Sequence, residues 1–350
     1  MSKSSNPAVR AKVSAMFGKR LKEEDYNELL SCQSLESITL YLKGHPAFSS
    51  VLTEVDAAYV HRGYLEAVIQ REYFRDFLKL FHYLDRNDRS FLKIIILSYE
   101  IEEILWCINS IHDPALPSVG FLNYKYDYLD QYSKVDFCKL SRADTPLALL
   151  AALEDTPFAD VLHPLYETEG DLPYSGAEHF LWAYYYKTFY EHIKKFFGKK
   201  KAPELEKSVG IEVDTLNLML IYRLRQRFRL PGETVRAYLF DKSYKLKPEM
   251  IDALIKAETK EGFENALRAT PYRTLTAGDL QRNIAAMIDH NARKTIHFST
   301  QSVALILAFL TLKDTELQNI KTIVEGCRYN MPREQIEPLL IHYRKARESR

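Results

Sequence analysis

Few residues in this sequence could carry out chemistry, and their spacing does not converge on an active site. Asp85 and Asp88 stand three apart in a short acidic run that resembles a metal-binding motif. A solvated turn between two amphipathic helices explains that run better. Asp289 and His290 are adjacent, as an acid–base pair would be, but neighbours on a helix point about 100° apart. Surface polarity of a helix is the better interpretation there, so we predict no catalytic residue.

Patterns for nucleotide and metal binding are also lacking from the sequence. It has no G-x-x-x-x-G-K-[ST] loop and no G-x-G-x-x-G turn, the two phosphate-binding signals. The ten histidines show no H-E-x-x-H spacing, which a catalytic zinc site would need. The four cysteines are scattered without a C-x-x-C pair, a usage typical of a reducing compartment. We predict neither a cofactor nor a metal.

A cluster of lysines interleaved with phenylalanines is the densest basic segment. Such a segment could bind RNA or acidic lipid headgroups, or it could be a helix C-terminus whose lysines favour the negative end of the dipole. The formal net charge of +1 gives no global field for nucleic acid, so we predict no nucleic-acid partner and keep the lysines as candidate interface residues. They are Lys194, Lys195, Lys199, Lys200 and Lys201.

The elements that would position these residues are helices, and one short helix recurs three times. In each copy a hydroxyl residue precedes two apolar residues at intervals of four, and a proline follows four residues later. A hydroxyl cap, an apolar stripe and a proline stop together define an amphipathic helix with both ends marked. The copies are Ser34, Ile38, Leu42 and Pro46; Thr145, Leu149, Leu153 and Pro157; and Thr259, Phe263, Leu267 and Pro271.

A second recurring element pairs an acid with an asparagine three residues later. Asp214 precedes Asn217, and Glu316 precedes Asn319; a degenerate first copy has Glu103 three residues after Glu100. Residues three apart share a helix face, and a buried asparagine is costly unless its amide is paired. The recurrence predicts a specific hydrogen bond between helices, with two solvent-exposed polar residues as the alternative.

Composition and periodicity together predict an all-α fold. The 350 residues are 46% hydrophobic with only 12 glycines, and no stretch alternates with period two as a half-buried strand would. The repeats predict three homologous helical subdomains in a pseudo-threefold arrangement, covering residues 8–112, 135–230 and 245–345. Within the second subdomain, we expect an interruption from Pro164 to Gly176.

The location expected from the sequence is the cytoplasm. The N-terminus lacks the apolar core of a signal peptide. The longest apolar runs, such as Val303 to Leu310, are about half of what a bilayer span requires. We therefore expect no transmembrane segment, and attachment to a membrane only through partners.

With these repeats and motifs, the sequence resembles the C subunit of V/A-type rotary ATPases, whose counterpart in the eukaryotic V-ATPases is the d subunit. The resemblance covers essentially the whole chain, with departures at Glu103, where the family usually has asparagine, and at Asp314, where glutamate is commoner. It rests on an ordered set of segments: Val9–Met16, Leu21–Tyr26, Ser34–Leu42, Val213–Arg223, Leu310–Ile323 and Met331–Ile336.

The resemblance implies a non-catalytic member of the central stalk, shaped as a funnel of three similar subdomains. Such a protein rests on the membrane proteolipid (c/K) ring and receives the D and F subunits of the central shaft. It would act as one copy within a hetero-oligomeric complex and transmit torque for proton or sodium transport. From the residues alone, the alternative is a soluble all-α scaffold that binds a partner helix outside any ATPase.

Overall fold

The computed structural model describes residues 7–113, 132–198, 202–276 and 278–341. All regular elements in these ranges are helices, which confirms the predicted all-α class. Their compact packing divides the chain into two units. The first unit comprises Met1–Arg89, Pro117–Tyr132 and Ala285–Arg350, and the second comprises Ser90–Leu116 and Ser133–Ile284. The three subdomains predicted from the repeats remain a prediction, and residues 342–345 of the third lie outside the described ranges.

The helices of the first unit surround one long apolar helix near the C-terminus. This helix, Ser302–Arg328, packs against the helices Pro7–Gly18, Leu35–Gly44 and Arg62–Phe81. Its buried Ile320 and Val324 meet Ile38, Leu42 and Leu65 in one cluster. The elements are α1 Pro7–Gly18, α2 Glu23–Ser31, α3 Leu35–Gly44, α4 Ser49–Leu52, α5 Arg62–Phe81, the start of α6 Arg86–His112, most of α15 Leu280–Phe298, α16 Ser302–Arg328, α17 Arg333–Ile336 and the 3₁₀ turn Glu337–Leu339.

The second unit has a comparable long helix, Ala202–Tyr222, which ends in a π-turn and packs against the helix Tyr174–Phe196. Phe158, Leu181 and Val213 are buried there. Besides most of α6 and the first residues of α15, its elements are α7 Phe137–Leu140, α8 Pro146–Ala152, α9 Pro157–Glu169, α10 Tyr174–Phe196, α11 Ala202–Tyr222, the π-turn Arg223–Arg227, α12 Gly232–Ala237, α13 Pro248–Lys256, α14 Lys260–Arg268 and the 3₁₀ turn Arg273–Thr276.

The interruption predicted from Pro164 to Gly176 is wrong at both ends, because residues 164–169 belong to α9 and residues 174–176 belong to α10. Pro164 lies inside α9, where a proline removes one intrahelical hydrogen bond. The helix continues to Glu169 and stops at Gly170, whose φ of 68° is a left-handed conformation that glycine adopts at little steric cost. The break therefore spans only the short link before α10, which begins at Tyr174.

Candidate functional site

The three hydroxyl residues of the repeated helix each cap a helix N-terminus. The Ser34 hydroxyl accepts a hydrogen bond from the Ser37 amide at 3.1 Å and begins α3. Thr145 accepts from the Ala148 amide at 3.2 Å at the start of α8. Thr259 accepts from the Gly262 amide at 3.1 Å at the start of α14. Each cap therefore satisfies one otherwise unpaired amide of the first turn.

Asp214 is completely buried on α11 and organises a distant segment of the second unit. Its carboxylate accepts hydrogen bonds from the backbone amides of Tyr244, Lys245 and Leu246 at 2.8, 2.7 and 3.2 Å. It also accepts a hydrogen bond of 2.7 Å from the Tyr272 hydroxyl. Since four donors surround one carboxylate, Asp214 is fully engaged as a structural anion rather than held free for proton transfer.

Asn217, one turn further along α11, is also fully buried and joins the helix to a second loop. Its amide nitrogen donates to the Phe240 carbonyl at 3.0 Å, and its amide oxygen accepts from the Phe240 N–H at 2.8 Å. The asparagine thus imitates a backbone unit and pairs with one residue in both directions. Its partner is loop backbone, not another helix as the sequence had led us to expect.

The first unit repeats this arrangement on α16. The Asn319 side chain donates to the Ile341 carbonyl at 2.9 Å and accepts from the Ile341 N–H at 2.8 Å. The Glu316 carboxylate accepts from the Leu21 amide at 2.6 Å and from the Lys313 ammonium at 2.5 Å. Both Lys313 and Glu316 are buried, so each neutralises a charge that would otherwise be costly in the interior.

Each buried carboxylate of the acid–asparagine elements accepts a hydrogen bond from a residue shortly before the start of another helix. In the second unit, Asp214 accepts from Leu246, which precedes the start of α13 by two residues. In the first unit, Glu316 accepts from Leu21, which stands in the same place before α2. The degenerate copy Glu100 accepts from the Ser133 hydroxyl at 2.5 Å, two residues before Val135, and burial raises the pKa of Glu100. Each acid therefore bonds to a residue that lies shortly before the start of another helix.

Glu103, which stands where the other copies have asparagine, is fully buried on α6. The segment that would correspond to Phe240 and Ile341 lies 22 or 23 residues further along the chain. That segment falls outside the described residues. For this copy, the structure therefore describes the contact of Glu100 but not the segment that would correspond to Phe240 and Ile341.

The distance from the acid to the end of the helix differs by one residue between the two acid–asparagine copies, and the π-turn lies where the extra residue is found. The exposed aromatic residue at the helix end, Phe228, stands fourteen positions after Asp214, whereas Tyr329 stands thirteen positions after Glu316. Phe228 is 61% exposed and Tyr329 is 65% exposed. Since a π-turn holds one residue more than an α-helical turn, the extra residue is taken up between Tyr222 and Phe228.

The segments that follow the two aromatics are alike. Arg229 and Asn330 adopt left-handed conformations with φ of 54° and 50°. Behind them the Leu230 amide donates to the Leu224 carbonyl, and the Met331 amide donates to the Gly326 carbonyl, both at 2.9 Å. This third recurring element was not predicted from the sequence, although the aromatic-x-x-Pro spacing at Phe228 and Tyr329 was there to find it.

The remaining candidate residues do not form a catalytic or metal site. Lys194 and Lys195 are exposed in the last turn of α10, and Lys199, Lys200 and Lys201 lie outside the described residues. The Asp85 carboxylate accepts from the Asp88 amide at 2.9 Å, in a turn that begins α6. Within the described ranges, no three His, Cys, Asp or Glu side chains are placed to hold a metal ion.

Asp289 corrects the expectation of surface polarity. Its side chain is buried and accepts from the Arg293 Nε at 2.5 Å and Nη2 at 3.1 Å. The bidentate contact is a strong form of ion pair, and it directs the carboxylate to Arg293. The neighbouring His290 is exposed.

Comparison with known proteins agrees with the family resemblance of the sequence motifs along almost the whole chain. The model of the ATP synthase (C/AC39) subunit family matches residues 9–339. The chain belongs to this family. The match confirms the resemblance found in the sequence motifs, and it includes both acid–asparagine copies and all three capped helices.

Members of the family from archaea are similar to the chain along almost all of it. The C subunit of the A-type ATP synthase of Methanosphaera stadtmanae is 24% identical over 95% of this chain and 86% of its own length. Its counterpart from Methanosarcina barkeri is 22% identical over 97% of this chain and 93% of its own length. The counterpart from Pyrococcus furiosus is 20% identical over 90% of this chain and 84% of its own length.

Proposed function

We propose that this chain is the central-stalk adaptor of a V/A-type ATPase or ATP synthase. It would join the D and F subunits of the shaft to the proteolipid ring and transmit torque for proton or sodium transport, without catalysing a reaction of its own. The observation that carries the proposal is the family match, which runs from residue 9 to residue 339.

The buried carboxylates support a mechanical role. Torque passes through a body without loss only if its helices do not slide past one another, and interiors packed at crystal-like density deform little. Asp214 and Glu316 add to that packing charge-assisted hydrogen bonds, which are about twice as strong as neutral ones. Since each joins a long helix to the segment that leads into another helix, each resists sliding between these elements.

We also propose a location for the chain. It would lie at the cytoplasmic face of the membrane and be held there by its partners. None of the described helices is long and apolar enough to span a bilayer, and a member of such a complex would reach the membrane through the ring.

Co-isolation from native membranes tests the proposal. The affinity-tagged chain is recovered from membranes solubilised in a mild detergent, and its partners are identified by mass spectrometry. We expect shaft subunits and the proteolipid together. Recovery of the chain with neither, or only in the fraction without membranes, would favour a free helical scaffold instead.

A functional measurement tests the coupling role separately. Deletion of the gene should leave ATP hydrolysis by the detached head intact while ATP-driven ion transport into vesicles is lost. A wild-type copy should restore the transport. If transport continued at the normal ratio to hydrolysis in the deletion strain, the chain would not be the coupling element.

A further inference from the structure

A cavity of about 280 Å³ opens in the second unit beside the π-turn that ends α11. Arg223, Arg227 and Lys260 contribute cations to its lining, and Thr276 and Gln281 contribute uncharged polar groups. The volume lies just below the range of small-molecule sites, about 300–1,000 Å³. A small anion with a short organic body therefore fits this cavity better than a large cofactor does.

The three cations at this cavity form no ion pair with any described residue. Arg223, Arg227 and Lys260 are exposed, whereas the guanidinium of Arg225 in the same π-turn donates to the Leu230 carbonyl at 2.7 Å. Like charges four residues apart on a helix repel each other. An anion that binds both Arg223 and Arg227 would therefore relieve a repulsion that the chain itself leaves in place.

The acids near this cavity do not neutralise its cations. Glu264 lies 3.7 Å from the Arg268 guanidinium, and the Asp279 carboxylate accepts from an amide in the first turn of α15 at 2.8 Å. Burial raises the pKa of Glu178, and the charge of Arg223 opposes that rise, but the two side chains form no ion pair. With three cations and two acids in its lining, the cavity carries net positive charge.

The first unit neutralises the corresponding position with its own residues. Six residues after the asparagine of its long helix it has Glu325, which forms an ion pair with Arg62 at the start of α5. The same position in the second unit is Arg223. The helix that starts at this cavity is α15, and its second residue, Gln281, lines the cavity without a charge. A cation and an amide thus replace the ion pair, which leaves a positive charge for a ligand.

The π-turn that carries Arg223 and Arg227 is an insertion relative to the first unit. The Phe228 amide donates to the Arg223 carbonyl at 3.2 Å, five residues back, where an α-helical turn would bond four residues back. The long helix of the first unit stays α-helical to its end at Arg328. Single π-turns are rare and are frequently found at functional sites, and this one coincides with the unpaired arginines.

Phosphate matches these donors better than a carboxylate does. Each arginine presents five N–H donors in a planar fork, and the lysine presents three. A carboxylate has two oxygens, whereas a phosphate monoester has three strong acceptor oxygens and a charge of about −1.5 to −2 at pH 7. Arginine forks bind phosphate through two parallel hydrogen bonds.

We infer that this cavity binds a phosphate-bearing anion, with its oxygens against Arg223, Arg227 and Lys260. The phosphate belongs to a small free molecule or to a lipid headgroup, since the cations recognise the same chemistry in both. The inference goes beyond the proposed function, because it assigns a ligand site that torque transmission does not require.

Two probes applied to the full chain test the inference and distinguish the sources. Isothermal titration calorimetry with inorganic pyrophosphate measures binding of a free phosphate compound. Co-flotation with phosphatidylcholine vesicles, with and without phosphatidic acid, measures binding of a headgroup. We expect saturable binding of at least one phosphate probe, with an affinity that falls as salt rises. Absence of binding to both would overturn the inference.

Removal of the three cations locates the site. The triple variant Arg223→Gln, Arg227→Gln and Lys260→Gln should weaken binding of the responding probe at least about tenfold, with unchanged circular dichroism. Unchanged binding by this variant, or an equal loss in the control, would overturn the inference. The control removes three exposed cations of the same unit outside the cavity and should change affinity less than about twofold; it is Lys207→Gln, Lys247→Gln and Lys256→Gln.

A second variant tests the site without removing a cation. Gln281→Glu supplies an acid at the cavity, in the way that the first unit pairs Glu325 with Arg62, and should weaken binding at least about tenfold. The control Ser208→Glu adds the same charge at an exposed position of α11 outside the lining and should leave affinity within about twofold. Equal effects of the two variants would show that binding follows net charge rather than the cavity, against the inference.

Malonate is the charge control for whichever probe binds. Its two carboxylates carry a similar charge without a phosphate, so it should compete for the site at least about tenfold less well than the phosphate compound. Equal competition would show a site for any anion, against the inference. None of these results depends on co-isolation with shaft and ring, so failure of this site is distinguishable from failure of the proposed function.

Discussion

Removal of the Asp214 carboxylate is the sharpest test of how the second unit is held together. In Asp214→Ala, four hydrogen-bond donors lose their acceptor at once. Two of these donors, the Leu246 amide and the Tyr272 hydroxyl, belong to buried residues. Each buried donor left unpaired costs about 1–3 kcal/mol. The other two lie on exposed residues, where water can replace the carboxylate. We expect a loss of about 2–6 kcal/mol, at the upper end for a single substitution.

Urea unfolding followed by circular dichroism measures this loss, and hydrogen exchange shows which unit opens. The matched control is Asp241→Ala, which removes an exposed acid from the same unit and should change stability by less than about 0.5 kcal/mol. Because the chain has two units, the midpoints of the urea transitions of two variants are compared only if circular dichroism and hydrogen exchange report the same transition.

A double-mutant cycle with Tyr272→Phe completes the test. The hydroxyl donates to a carboxylate, so its removal alone should cost about 1.5–3 kcal/mol. In the Asp214→Ala background the hydroxyl has already lost its acceptor, and Tyr272→Phe should then be neutral or stabilising. If the two losses simply added, or if Asp214→Ala were as stable as its control, the carboxylate would not organise the loop as its contacts imply.

Three further predictions use other features. Gly210→Ala should lower the free energy of unfolding in urea by about 1–3 kcal/mol, because the added methyl group would lie 2.5 Å from the Tyr244 Cβ. Gly198→Ala, where the added methyl group meets open space, should not lower it. Ser34→Ala should cost about 1 kcal/mol in the same assay, and retention of full stability would contradict the cap. Burial lowers the pKa of His179, so the unfolded chain binds a proton more readily than the folded chain, and the free energy of unfolding falls as pH drops below about 6.5. His179→Phe should reduce that fall between about pH 7.5 and 5.5. An unchanged dependence of the free energy of unfolding on pH would contradict this prediction.

Local features of the fold could be predicted from the sequence where both ends of a helix are encoded in neighbouring residues. The hydroxyl groups of Ser34, Thr145 and Thr259 bond to amides three residues away, so their roles depend on nothing distant. The prediction at Pro164 was wrong because a proline only weakens a helix that begins well before it, whereas the left-handed Gly170 ends it.

The partners of the acid–asparagine elements could not be predicted, although the shared helix face was visible. Asp214 meets residues 30 to 58 positions away, and no local pattern encodes such contacts. The sequence could not distinguish a partner helix from loop backbone either, since an asparagine side chain can pair with both.

The asparagine contacts also say something about the order of folding. The four cysteines are free thiols, so no disulfide closes the segments from Asn217 to Phe240 and from Asn319 to Ile341, whose ends are 23 and 22 positions apart. The asparagine hydrogen bonds act together with buried apolar residues inside these segments, such as Val235 in the first and Ile336 in the second. Closing a flexible loop of this length costs about 3 kcal/mol of chain entropy, whereas two such hydrogen bonds return about 2 kcal/mol.

The two hydrogen bonds of each asparagine therefore do not offset the entropy of loop closure without the apolar packing around them. We therefore expect the contacts to persist only while the surrounding helices are packed, so that they report that packing. The backbone amides of Phe240 and Ile341 each donate to an asparagine oxygen, one in each unit. Protection of these two amides from exchange with deuterated solvent therefore measures, for each unit separately, when its helices have packed.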